Sequence, residues 1–88
     1  MTLALEEAYD LDPQVAIRPE PFGALAYHYG TRRLVFLRSP DMVRVVESLC
    51  DAPTVADALR RCDVATQRWP SFQSALDQLA NSDVIHAR

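Results

Sequence analysis

The sequence contains no lysine, and it has only two glycines and two cysteines among its 88 residues. Two glycines cannot form a glycine-rich phosphate loop, and the GxSxG and HExxH motifs of hydrolases and metalloproteases are absent. Two cysteines are too few for a disulfide framework, and they lie too far apart to form a CxxC pair. These absences predict a protein with no catalytic activity of its own and no cofactor.

The residues that could bind a metal ion lie on different predicted elements, so only tertiary folding could bring them together: Cys50, Cys62, His28 and His86. We interpret the cysteines as small buried hydrophobic residues on helix faces. We interpret His28 as an exposed residue on one face of a hairpin. The sequence therefore predicts no metal site.

Long apolar runs are also missing, because Arg, Asp, Glu or Pro interrupts them every few residues. None approaches the roughly 20 residues that a membrane-spanning helix needs. The N-terminal segment MTLALEEAYD has no basic start, and Glu6 and Glu7 stand where a secretory signal would be apolar. We therefore expect a cytoplasmic protein that makes no membrane contact.

All nine basic residues are arginines, and with twelve acidic residues they give a net charge of -3. This charge argues against nucleic acid as the main partner. The content of 49% hydrophobic and 24% charged residues is typical of a globular chain. Since 88 residues suffice for one core only, we predict a single domain over residues 1–88, with a flexible lead-in at residues 1–12.

The first half of the chain has the pattern of three short strands. The first strand lies in QVAIRPEP, where Pro19 and Pro21 restrict its end to the edge of a sheet or to the region outside it. The other two lie in GALAYHYGTRRLVFLR and form a hairpin, for which Gly30 and Thr31 predict a two-residue type II′ turn. The resulting register places the large side chains on one face: Tyr29 opposite Arg32, Tyr27 opposite Leu34 and Leu25 opposite Phe36.

Three helices follow. In SPDMVRVVESLC, Ser39 is the predicted N-cap and Pro40 the first helical residue. In TVADALRRC, Thr54 and Asp57 have the spacing of a capping box. The segment WPSFQSALDQLANS has an apolar stripe with helical period. The inward residues predicted for the three helices are Met42, Val45, Val46, Leu49 and Cys50; Val55, Ala58, Leu59 and Cys62; and Phe72, Ala75, Leu76, Leu79 and Ala80.

This order of elements predicts an α+β fold of the winged helix-turn-helix type, with a three-stranded antiparallel sheet followed by three helices. Many such domains bind DNA. A recognition helix needs cations for the phosphates, but residues 70–81 contain none and include one acid, Asp77. DNA binding therefore remains only the weaker alternative.

The third strand suggests a different function, because an exposed apolar strand edge invites pairing with another chain. A peptide could bind there as an added strand. About five backbone hydrogen bonds at roughly 1 kcal/mol each only just match an association cost of about 4–15 kcal/mol, so side-chain anchors must contribute. The predicted peptide contacts are Arg33, Leu34, Val35, Phe36, Leu37 and Arg38 on the strand and Phe72, Ala75, Leu76 and Leu79 on the third helix.

The run PQVAIRPEPFGALAYHYGTRRLVFLRSPDMVRVVESL, with PTVADAL after it, resembles the family of the mycofactocin peptide chaperone MftB. This family is related to PqqD and to the recognition elements of ribosomal-peptide (RiPP) maturation. The resemblance covers about residues 9–62 closely and the third helix by pattern, and the blocks RPEPFGAL and YGTRRL are its most specific parts. The chain departs from the PqqD-like pattern at Ala52 and Asp83, where glycine is frequent.

The resemblance implies a PqqD-like fold without enzymatic activity. It further implies that the chain binds the precursor peptide MftA antiparallel to the third strand and delivers it to the radical SAM enzyme MftC. A recognition element of another RiPP pathway remains the alternative. Small domains with an exposed strand can also exchange elements between copies, so a homodimer stays open beside a monomer.

Overall fold

A computed structural model describes residues 3–88 of the chain. Met1 and Thr2, which belong to the predicted domain and lead-in, lie outside the described residues. The elements in chain order are β1 Tyr9–Leu11, β2 Val15–Glu20, β3 Gly23–His28, β4 Leu34–Leu37, α1 Pro40–Ser48, α2 Val55–Arg61, α3 Trp69–Asn81 and β5 Ile85–Ala87, with a 3-10 turn at Thr66–Arg68 before α3.

The main sheet is antiparallel and has the strand order β2-β3-β4. The predicted α+β fold, with a three-stranded sheet followed by three helices, is confirmed. The predicted pairing of Tyr27 with Leu34 and of Leu25 with Phe36 is confirmed, whereas Tyr29 and Arg32 lie in the loop between the two strands and are not paired. The two-residue period of the side chains determines this register, because a shift by one residue would turn the buried face to solvent.

The predicted type II′ turn is wrong. Gly30 does not have a positive φ, and the left-handed residue of the hairpin is Arg32, with φ 62°. Four residues connect His28 to Arg33, and the Arg32 amide donates to the His28 carbonyl at 2.7 Å. The His28 ring stabilises this longer loop, because its Nδ1 accepts hydrogen bonds from the amides of Gly30 and Thr31 at 3.0 and 3.1 Å.

His28 itself is therefore not the surface residue that the sequence suggested. Only 5% of it is exposed. A histidine can occupy this buried position because both of its ring nitrogens have polar neighbours: the turn amides at Nδ1 and the Asp12 carboxylate 3.6 Å from Nε2.

The core lies between the inner face of this sheet and the three helices. Ala24 and Ala26 on β3 are fully buried, and their small side chains let α1 approach the sheet. Ser39 caps α1 as predicted, accepting a hydrogen bond from the Met42 amide at 3.1 Å. Cys50, predicted to face inward, is exposed because α1 ends at Ser48 and the stripe does not continue through the turn.

The chain termini meet in a second sheet that the sequence pattern did not predict. Here β1 pairs antiparallel with β5, with Asp10 opposite His86. The segment before β1 is also packed, because Leu3 is buried and the carbonyls of Leu5 and Glu7 accept the first amides of α2. The N-terminal segment therefore stabilises the helix start and part of the core.

The two positions at which glycine is frequent in PqqD-like chains are accommodated differently. Asp83 has φ 62°, a left-handed conformation that Asp tolerates better than most residues. Ala52 is buried and has no positive φ, so an alanine fits there without strain. Across residues 3–88, none of the helices combines the length and the apolar character needed to cross a bilayer.

Candidate functional site

The strand β4 forms one edge of the main sheet, with β3 as its neighbour. The His28 amide donates to the Arg33 carbonyl at 2.9 Å. Since the backbone groups of an antiparallel strand alternate in direction, Val35 and Leu37 also bond towards β3. The amides and carbonyls of Leu34, Phe36 and Arg38 consequently point away from the sheet, and no residue in the described part of the chain accepts from these three amides.

A groove of about 760 Å³ lies between this edge and α3. The strand side consists of Leu34, Val35, Phe36, Leu37, Arg38 and Ser39; the helix side consists of Arg68, Ser71, Phe72, Ala75, Gln78, Leu79 and Ser82, with Met42 of α1 between them. The structure thus brings most of the predicted peptide contacts to one site. Arg33 lies before β4 and does not line the groove, and Leu76 is fully buried in the core beneath it.

The walls of the groove differ in exposure. Leu34 and Phe36 on β4 are 51% and 54% exposed. Phe72 and Leu79 on α3 are almost fully buried and form an apolar floor, while Ala75 between them is half-buried. Because alanine is small, it leaves room over the helix for the side chain of a bound molecule.

Arg68 is a groove residue that the sequence analysis did not identify. Its guanidinium lies 5.1 Å from the centre of the Phe72 ring, and its Nη1 donates to Asp41 Oδ2 at 3.0 Å. This hydrogen bond lowers the pKa of the Asp41 carboxyl below its usual range, with a further contribution from Arg44. In the sequence, the spacing of one helical turn between Arg68 and Phe72 could have indicated that their side chains are in contact.

The electrostatic character of the groove is opposite to that of the whole chain. Arg38 and Arg68 line it, and none of its lining residues is acidic, although the net charge of the chain is -3. An open backbone edge, an apolar floor and two guanidinium groups together can hold an extended chain that carries apolar and acidic side chains.

The chain matches the model of the peptide chaperone MftB family over residues 8–86. It is 42% identical to the peptide chaperone MftB of Mycobacterium tuberculosis over 94% of this chain and 76% of that protein. It is 42% identical to that of Mycolicibacterium smegmatis over 97% of this chain and 83% of that protein. It is 44% identical to that of Mycobacterium ulcerans over 91% of this chain and 73% of that protein.

The chain belongs to the peptide chaperone MftB family. The resemblance found in the sequence is thereby confirmed, and so is the prediction that the chain is not an enzyme, because members of this family are chaperones. No solved structure matches the chain at a significant level. The groove described above is accordingly the candidate binding site of an MftB family member.

A second group of polar side chains lies away from the groove and has a structural role in this MftB family member. The Asp12 carboxylate accepts from the Gln14 amide at 2.7 Å, contacts His86 Nε2 and lies 3.6 Å from His28 Nε2. The Gln14 hydrogen bond, followed by the contact with His86, lowers the pKa of the Asp12 carboxyl. The carboxylate thereby joins the start of β2, the hairpin and β5.

Proposed function

We propose that this chain binds the precursor peptide MftA as an additional antiparallel strand on β4 and presents it to the radical SAM enzyme MftC during mycofactocin biosynthesis. Membership of the MftB family supports a peptide chaperone. The observation that carries the proposal is the outward direction of the Leu34, Phe36 and Arg38 backbone groups beside the apolar floor of α3. The whole described domain serves as one peptide-recognition unit.

Backbone pairing and side-chain anchors both contribute to the proposed complex. Strand hydrogen bonds provide about 1 kcal/mol net each, and micromolar affinity requires about 8 kcal/mol after the association cost. A buried apolar side chain contributes about 1.5–3 kcal/mol. Because about five strand bonds only offset the lower end of the association cost, roughly three to five such anchors, including those over Phe72, Ala75 and Leu79, are needed for micromolar affinity.

The guest side chains alternate in direction along an added strand. Those that point inward meet the floor formed by α3, and those that point outward lie beside Leu34 and Phe36. An acidic residue of the guest pairs with Arg38 or with Arg68. At Arg68 the acidic residue of the guest replaces the carboxylate of Asp41, which the guanidinium already holds at the surface.

Calorimetric titration with synthetic MftA tests the proposal, with a scrambled peptide of the same composition as the control. We expect one peptide per chain at micromolar affinity or tighter, and weaker binding as salt is added because the arginines attract acidic residues. The precursor of another RiPP pathway, titrated in parallel, tests the alternative. Absence of heat with MftA at high concentration, or equal affinity for the scrambled peptide, contradicts the proposal.

A further inference from the structure

The outer face of the main sheet, on the side away from the helices, is apolar and aromatic. The alternation of the strands places Leu25 and Tyr27 of β3 on it beside Leu34 and Phe36 of β4. Phe22, in the turn before β3, packs edge-on against Phe36 with ring centres 5.9 Å apart. Phe22, Leu34 and Phe36 are all exposed, and none of the elements within residues 3–88 covers them.

An antiparallel sheet with one face on the core normally presents polar side chains on the other face. The strands β3 and β4 of this sheet both depart from that rule. Its outer face instead combines Phe, Tyr and Leu with arginine at its borders, which is the composition typical of protein interfaces. A shallow depression of about 480 Å³ between Phe22, Phe36 and Arg38 gives the face a place for a protruding side chain.

The charges at the border indicate the kind of partner. Arg18 on β2 pairs laterally with Leu25, its side chain is 80% exposed, and its Nε lies 3.8 Å from Glu20. Arg38 follows β4 on the opposite side of the same face. Glu20 is only one-quarter exposed, so the border is cationic where it meets solvent.

We infer that this face docks a second folded protein whose contact surface is apolar at its centre and acidic at its border, namely the enzyme that receives the peptide. The inference rests on the proposed function. Leu34, Phe36 and Arg38 belong both to this face and to the groove, so a protein on the face lies directly beside a strand added to β4. The face therefore places the guest next to the enzyme.

The outer face alone is smaller than a stable protein interface. Three strands at about 4.8 Å spacing and six residues at about 3.3 Å each give an area of roughly 300 Å². A stable interface needs about 800 Å² on each partner. The guest strand and its side chains extend the same surface, so the enzyme binds the peptide-loaded chain more tightly than the empty chain.

The experiment measures binding of purified MftC to this chain, with and without MftA, for two variants of the face. Phe22→Ala removes the aromatic side chain that packs on Phe36, and Arg18→Glu reverses a border charge on the strand farthest from the groove. Arg61→Glu on α2 is the matched charge control. We expect roughly tenfold weaker MftC binding for both face variants, no change for Arg61→Glu, and MftA affinity within about twofold of wild type throughout.

Unchanged MftC binding by both face variants overturns the inference and leaves the proposed function intact, provided that wild type binds MftA. Absence of MftA binding by wild type overturns the proposed function, whereas loss of MftC binding by the face variants still supports docking on this face.

Sedimentation velocity tests whether the face instead binds a second copy of the chain. If wild type is a dimer that Phe22→Ala dissociates while MftC binding is unchanged, the face belongs to a second copy and the inference is wrong. Because the Arg18 side chain is 80% exposed, we expect its variant to keep the fold even if Phe22→Ala does not.

Discussion

The two edges of the main sheet differ in what they offer to another chain. On β2 the outward backbone groups belong to Val15, Ile17 and Pro19, because the Tyr29 amide donates to the Gln14 carbonyl and fixes the alternation. The Val15 amide already donates to the Asp12 carbonyl at 3.0 Å, and Pro19 has no amide hydrogen. On β4, the outward amides of Leu34, Phe36 and Arg38 have no acceptor within the described residues.

The comparison shows how a small domain can expose one strand edge and protect the other. Pro19 and the turn at Asp12 leave Ile17 as the one outward amide of β2 without an acceptor among the described residues, as expected for an edge that must not aggregate. The β4 edge has no such protection and lies beside an apolar groove. This difference supports the proposal that a peptide binds at the open edge, and the following variants test that proposal in order of decreasing effect.

Leu76→Ala tests whether α3 holds the groove in place beside β4. Leu76 is fully buried, so we expect the free energy of unfolding to fall by about 2–5 kcal/mol. Urea denaturation measures this change, and peptide affinity should remain close to wild type under conditions where the variant is folded. Native stability combined with lost MftA binding would instead place Leu76 in contact with the guest.

Phe36→Pro removes an outward amide from the open edge without removing a bond to β3. Proline is tolerated at such an edge position, and the lost donor and the bulk of the ring should weaken MftA binding by roughly tenfold or more. Phe36→Ala is the matched control, since it removes the same side chain and keeps the amide. Equal calorimetric affinities of the two variants contradict strand addition.

Ala75→Trp fills the groove beside the open edge. The large side chain occupies the space in which a guest anchor would lie, and we expect MftA binding to weaken by about fivefold, or 1 kcal/mol. Ser74→Trp places the same side chain on an exposed neighbouring position of α3 outside the groove. If the two tryptophan variants bind MftA equally well, the anchors lie elsewhere.

Asp12→Asn tests the turn that protects the β2 edge. The pKa of the Asp12 carboxyl is lowered in the folded chain, so the ionised group stabilises the fold above its ordinary pKa of about 3.9, and this contribution is lost as the pH falls through the lowered value. We expect the variant to melt at a lower temperature than wild type at neutral pH, and the difference to shrink in acid. A difference that is independent of pH contradicts the role of the charge.

Pro19→Ala gives the smallest expected effect. It restores an outward amide on β2, but the residues of this edge line neither the groove beside β4 nor the depression on the outer face. MftA should therefore bind with unchanged affinity and with one peptide per chain. A second calorimetric site in this variant would show that an amide edge alone suffices and that the groove is dispensable.

Several features of the site were predictable because they depend on neighbouring residues. The alternation of large and small side chains along the hairpin determined the pairing of Leu25 with Phe36, and Ser39 with Pro40 determined the start of α1. The helical stripe correctly placed Phe72 and Leu79 on the inward side of α3. The stripe could not distinguish these groove residues from Leu76, because residues in the core and residues in a groove at its border repeat with the same helical period.

Other features depended on residues far apart in the chain. The pairing of β1 with β5 joins segments of three residues each, too short for a recognisable strand pattern, and it depends on contacts between the two ends of the described chain. The burial of His28 depends on Asp12 and on the amides of its own turn. The role of Arg68 depends on Asp41, which lies 27 residues earlier.

The sequence by itself determined the three-stranded sheet, the three helices and the family, because side-chain period, helix caps and motif blocks are local properties of the chain. Only the tertiary structure decided which backbone groups of β4 face outward, which apolar residues of α3 stay accessible and which arginine borders the groove. These properties arise from the packing of distant segments, and packing is a property of the folded chain as a whole.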